Sequence, residues 1–200
     1  MSVLFDEYQK DINSAKTSVD FISSWDAIGG IKDEEIKVIE GTESHAILVG
    51  IKENFISFKI DQNIIRGGLI LYSVGRFETY VKELVQDICD RYVKKVGEFD
   101  KLPKELKANL ISYTGQVIQD PKKYGHGDRG VQSFINILSN NVNNVKPCDK
   151  VNTECIIITE SNLRPKILSE LFERIGATKV IERSCAQASL LTFFETDSPD

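Results

Sequence analysis

The chain has 200 residues, 41% of them hydrophobic and 28% charged, with a formal net charge of -5 at neutral pH. That length fits one domain whose core stands without staples, and the acidic balance argues against broad phosphate-driven binding of nucleic acid while leaving room for a local basic cleft. The four cysteines, Cys89, Cys148, Cys155 and Cys185, have neither zinc-knuckle nor Cys-x-x-Cys spacing, so no metal and no cofactor is expected.

The N-terminus carries Asp6, Glu7 and Asp11 and gives no secretory signal. Apolar runs such as Ile156-Ile157-Ile158 fall far short of the ~20 residues that span a bilayer. The expectation is a reduced, cytoplasmic protein without membrane contact.

The first predicted helix covers residues 2–24, with Leu4, Tyr8, Ile12, Ala15, Val19 and Ile22 on one stripe and Ser23-Ser24, then Gly29-Gly30, ending it. Residues 25–43 are a polar connection holding a short helix or an extended piece. Residues 44–60 fit two periods: Ile47, Ile51 and Phe55 step as a helix, while Ile56, Phe58 and Ile60 alternate as a strand. Helix is preferred, because the flanks lack a hairpin turn signal.

The dominant element is a helix over 64–96, capped by Asp61 or Asn63, in which Leu71, Val74, Phe77, Val81, Leu84, Ile88 and Tyr92 make the seam. At ~1.5 Å per residue it is roughly 45 Å long. Cys89, beside that seam, reads as a buried, inert thiol. A helix over 102–119 follows, with Pro103 in its first turn, the stripe Leu106, Leu110, Tyr113 and Val117, and a stop at Asp120-Pro121.

Residues 121–130 form a glycine-rich loop. Asp128 is set to cap a helix carrying Val131, Phe134, Ile135 and Leu138, which breaks at the asparagines of 140–144. Asn162 is the expected cap of a last helix with Pro165 in its first turn and Gly176 at its end. The class is all-α, with five to seven helices.

Chemistry-bearing residues are few. His45 reads as a partly buried structural residue. His126, with Asp128 and Arg129 in Gly-His-Gly-Asp-Arg-Gly, has the types for acid–base work or for holding a phosphate, although such loops are more often solvated connections. Its glycines are not a phosphate-binding fingerprint, since no strand precedes them and no Lys-Ser/Thr follows. Lys94-Lys95, Lys122-Lys123 and the pair Arg66 and Arg76 are small basic groups interrupted by acids. Motifs alone assign no enzyme class.

Leu71-Tyr72-Ser73-Val74 followed by Phe77-Glu78-Thr79-Tyr80-Val81-Lys82-Glu83-Leu84 resembles the long helix of the HEPN superfamily, in particular its RiboL-PSP-HEPN type. Asn162-Leu163-Arg164 through Leu171-Phe172-Glu173-Arg174-Ile175-Gly176 is similar to a later helix of that family, and Leu190 to Phe194 to a segment before its final one. The resemblance implies a single HEPN-like helical bundle over 1–200, built on one long central helix with loop insertions. It also implies RNA as substrate, metal-independent cleavage by a homodimer, and a role as a toxin with an antitoxin partner or in phage defence.

The family motif is an Arg, often Arg-Asn, then four to six residues and a His, in which the His handles a proton and the Arg stabilises phosphorane charge. Neither His45 nor His126 follows an Arg at that spacing. The chain is therefore expected to be truncated before the catalytic helix, or to be a non-catalytic interaction module that binds protein or RNA. Glu78 matches the family's glutamate and is assigned to support the missing motif. Arg66 and Arg76 are the candidate RNA contacts. An apolar groove beside the long helix, covered by a second copy, is a further expectation.

Overall fold

The computed structural model describes residues 2–29, 31–37, 40–159 and 163–187, and no strand occurs among them. In chain order the helices are α1 (Ser2–Gly29), α2 (Asp33–Lys37), α3 (Glu43–Glu53), α4 (Phe55–Val96), α5 (Lys104–Gln119), α6 (Asp128–Val142), α7 (Thr153–Ile156), α8 (Pro165–Glu173) and α9 (Val180–Cys185), with one 3-10 turn at Phe99–Lys101. The class is all-α. Contacts divide the chain into two compact units, Met1–Tyr80 and Val81–Asp200, and α4 contributes to each.

In the first unit α1 runs antiparallel to the first half of α4. Tyr8 stacks on Tyr80 with ring centroids 4.7 Å apart, Asp11 meets Arg76, and Gln62 Nε2 donates to the Ile22 carbonyl at 3.2 Å. Ala15 and Ile22 of the expected α1 stripe are buried, whereas Val19 is exposed. The helix does not stop at Ser23-Ser24. Ser24 Oγ donates back to the Phe21 carbonyl at 2.6 Å, which lets a serine sit inside a helix, and α1 continues to Gly29.

Residues 44–60 are helical but not one helix. Thr42 caps α3 by accepting from the His45 N–H, and Asn54 ends it by donating from Nδ2 to the Gly50 carbonyl at 2.8 Å. The chain restarts at Phe55, so α4 is 42 residues, about 63 Å at ~1.5 Å per residue. Asp61 and Asn63, the expected caps, lie inside it with exposed side chains, at only the modest propensity cost of polar residues in a helix. The short α2 falls in the stretch whose state the sequence left open.

The expected α4 seam is corrected. Leu71 is 75% exposed and Val74 50%, while the second unit buries Val81, Val85, Cys89 and Val93, at steps of four. Apolar residues at steps of three or four cover a wide arc of a helix, and the pattern alone does not choose its centre. In the first unit α1 meets Phe77 of the expected seam, whose ring centroid is 6.4 Å from that of Tyr8, but also Gln62, Arg76 and Tyr80, which carry polar atoms that apolar periodicity ignores. Gly97, at φ +67, ends α4, and Lys94 and Lys95 place cations in the last turn, where the helix dipole favours them.

The second unit centres on α5, which packs against α6 and α7. Leu106, Leu110, Thr114 and Val117 of α5 are buried, and Val117 joins Phe134 and Cys155 in one cluster flanked by Tyr113, Tyr124 and Ile158. Pro103 occupies the position before α5 rather than its first turn. Gly127 stands at the cap of α6, so Asp128 is the first helical residue and not the cap, and α6 runs through the asparagines to Val142. Arg164 precedes Pro165 at the start of α8, and the expected cap Asn162, like Leu190 to Phe194, lies outside the described residues. Gly176, at φ +82, closes α8, with the Ala177 N–H donating to the Phe172 carbonyl. Glu98 accepts from Lys101 at 2.6 Å and Lys146 at 2.8 Å, and these two bonds hold its carboxyl down to about 2.

Burial, with Asp90 adding, pushes the Cys89 thiol up to about 12; burial pushes Cys155 to about 11, and the Thr114 hydroxyl offsets this only in part. Cys148 is raised by burial as well, and Cys185 is the least buried of the four. In the native protein at pH 8 a thiol reagent is expected to label Cys185 first and the others only on unfolding; rapid native labelling of Cys89, seen by peptide mapping, contradicts this. Leu106→Ala should lower unfolding free energy by roughly 2–5 kcal/mol, and Leu71→Ala by less than about 0.5, in urea titrations.

Candidate functional site

The three candidates on α4 belong to the first unit but not to one cluster. Arg66 and Arg76 are ten residues apart, hence about 15 Å along the axis and roughly 80° around it. Arg76 and Glu78, two apart, point to opposite sides of the helix. Arg76 Nε lies 2.6 Å from Asp11 Oδ2, with each side chain 32% exposed, although the N–H is not aligned for a hydrogen bond. Arg66 and Glu78 are half-buried and each is engaged in an interaction of its own.

His126 is anchored through its backbone, the N–H donating to the Pro121 carbonyl at 2.9 Å. Its ring stands edge-on to Phe134 with centroids 4.9 Å apart, so the imidazole is used for packing. Arg129 is exposed at the start of α6, and the Asp128 side chain is not described. His45 is half-buried on α3, beside Lys52 and Glu53. Among the described residues no three His, Cys, Asp or Glu come close enough to hold a metal ion.

The most constructed polar feature was missed by sequence reasoning. Arg174, one residue past α8, donates from Nη1 to the carbonyls of Ile156 at 2.6 Å and Ile158 at 2.7 Å. Ile156 is the last residue of α7 and Ile158 lies two residues beyond it, where carbonyls lack helical partners. The guanidinium lies over the Tyr113 ring, 4.2 Å from its centroid, and Asn109 Nδ2 donates to the Arg174 carbonyl at 3.0 Å. Arg174 and Tyr113 form part of the wall of a pocket of about 570 Å³, with Tyr124 and Val117 also lining it. A cation in the last turn before Gly176 was the available signal; its partners, 16 to 65 residues away in sequence, gave none.

The RiboL-PSP-HEPN family profile matches residues 43–185. The chain belongs to the RiboL-PSP-HEPN family. The matched span holds Arg66, Arg76, Glu78, His126 and Arg174, and leaves α1 outside it. Searches of curated proteins and of solved structures return no match. No helix among the described residues of this RiboL-PSP-HEPN chain is long and apolar enough to cross a membrane.

Because both partners keep about a third of their surface in water, the Asp11–Arg76 pair should couple weakly. A double-mutant cycle with Asp11→Asn and Arg76→Gln is expected to give roughly 0–1 kcal/mol; a coupling above about 2 kcal/mol would mean a desolvated pair with a larger part in the first unit.

Proposed function

We propose that this RiboL-PSP-HEPN protein acts on RNA as a HEPN-like ribonuclease, in the cytoplasm, as a toxin held by an antitoxin or as part of a phage-defence response. The observation that carries this reading is the family match over residues 43–185. In it the whole chain works as one HEPN-like domain, Arg66 and Arg76 meet RNA phosphates, and Glu78 is set to support the family's Arg/His pair, which these 200 residues do not hold at the family spacing.

The active form in this proposal is a homodimer. Supporting it, α4 leaves Ile64, Ile70, Leu71 and Val74 at 50% exposure or more, an apolar surface that a second copy would cover.

A second reading is a non-catalytic module that binds RNA or a protein. It is favoured by the sequence spacing, in which neither histidine follows an arginine in the family manner, and by Arg76 lying against Asp11.

Labelled RNAs incubated with the full chain separate the two. Specific cleavage supports the first reading; binding without cleavage supports the second; neither binding nor cleavage removes RNA from the account. Arg66→Ala is expected to weaken RNA binding almost uniformly across sequences and to reduce the salt slope by about 1. Sedimentation at high concentration should show a dimer, and a strictly monomeric profile opposes that part.

A further inference from the structure

We propose that the pocket beside Arg174 is a nucleobase site, which takes a purine ring, guanine in preference to adenine, with the attached phosphate outside. This goes beyond RNA cleavage and does not depend on it, since a free mononucleotide and one base of a strand present the same ring.

The shape argument comes first. At about 570 Å³ the pocket falls within the range of small-molecule sites and has room for a nucleoside. Two tyrosines, Tyr113 from α5 and Tyr124 from the loop before α6, face it, and Val117, Ile158 and Ile167 supply an apolar lining. Flat aromatic and guanidinium surfaces backed by aliphatic groups suit a planar ring, which gains by stacking irrespective of its sequence context.

Rigidity comes next. Arg174 is fixed by two carbonyls through Nη1 and by the Tyr113 ring beneath it. The Tyr124 backbone is set by its N–H, which donates to the Pro121 carbonyl at 3.1 Å, and its side chain packs against the Val117, Phe134 and Cys155 cluster. The site is therefore built before any ligand arrives, which lowers the ordering cost of binding.

The polar groups decide the base. Glu170, Gln116 and Thr159 line the same pocket. A carboxylate accepts only, and two adjacent donors on one edge are the guanine N1–H and N2–H₂; adenine offers a single amino group beside an acceptor there. The guanine O6 and N7 accept only, and Thr159 and Gln116, whose Nε2 also donates to Ser112 Oγ at 3.4 Å, supply donors for them. Positive charge lies beside Tyr124, where the Lys123 ammonium stands 5.1 Å from the ring centroid and gives a phosphate outside the pocket a cation to meet.

Calorimetric titration of the full chain with GMP, AMP, UMP, ribose 5-phosphate and short single-stranded RNAs tests the proposal. GMP should bind more tightly than AMP and UMP, and ribose 5-phosphate should not bind measurably. Tyr124→Ala should weaken GMP by ~5- to 150-fold, the worth of one stacked base, and Glu170→Gln should remove the preference for GMP over AMP, both with an unchanged thermal transition. GMP binding with RNA excluded points to a free nucleotide as ligand; GMP and G-containing RNA both weakened by Tyr124→Ala point to a base in a strand. Ribose 5-phosphate binding as well as GMP, or GMP affinity indifferent to Tyr124→Ala and Glu170→Gln, overturns the site. RNA binding that both variants leave intact, without any mononucleotide binding, also overturns it while the reading of an RNA-directed protein stands.

Discussion

Arg174 ties three segments of the second unit together. Its guanidinium closes the end of α7 through the Ile156 and Ile158 carbonyls, lies on Tyr113 of α5, and is carried by the turn that ends α8. Hydrogen bonds to a charged group are worth about 1.5–3 kcal/mol each, and the two from Nη1 offset the cost of Nε, which is buried without a partner. Lysine has donors enough for two carbonyls but no plane, so it does not combine the paired donation with the stack on Tyr113. The pocket wall exists because this cation is held still.

The first unit uses its polar residues in a different way. Where α4 meets α1 the contacts are an amide to a carbonyl, an ion pair and a tyrosine stack, while aliphatic side chains of the same stretch, Ile70, Leu71 and Val74 among them, face water. Arg76 and Arg174 are both arginines with a protein partner, but their settings differ. Arg76 keeps a third of its surface in solvent against one carboxylate. Arg174 is bound to backbone carbonyls, so its acceptors are fixed by the main chain and not by a second side chain.

The sequence exposes what is local and periodic. The α5 stripe of Leu106, Leu110 and Val117, the inert thiol of Cys89 and the closure of α8 at Gly176 follow from spacing and from the chemistry of one residue, and all appear in the structure. The family was legible in the run from Leu71 to Leu84, because identity of residue types at fixed spacing survives without knowledge of contacts. The α4 seam was legible only in part: Val81 is buried and Phe77 meets Tyr8, but Leu71 and Val74 are exposed, since burial depends on which neighbours each half meets. The start of α4 was missed because Asn54, not Asp61 or Asn63, bonds back to the preceding turn. The pocket was invisible for the strongest reason: Tyr113, Tyr124, Ile158 and Arg174 come from four segments, and α7, whose orphan carbonyls orient the arginine, spans only four residues and has too little periodicity to be seen.

Hydrogen–deuterium exchange on the full chain, comparing wild type with Arg174→Lys, tests the clamp most directly. The account predicts faster exchange concentrated in α7, the residues just after it and the end of α8, with α1 and α3 unchanged. Exchange in α7 and α8 that is the same in both proteins would contradict it.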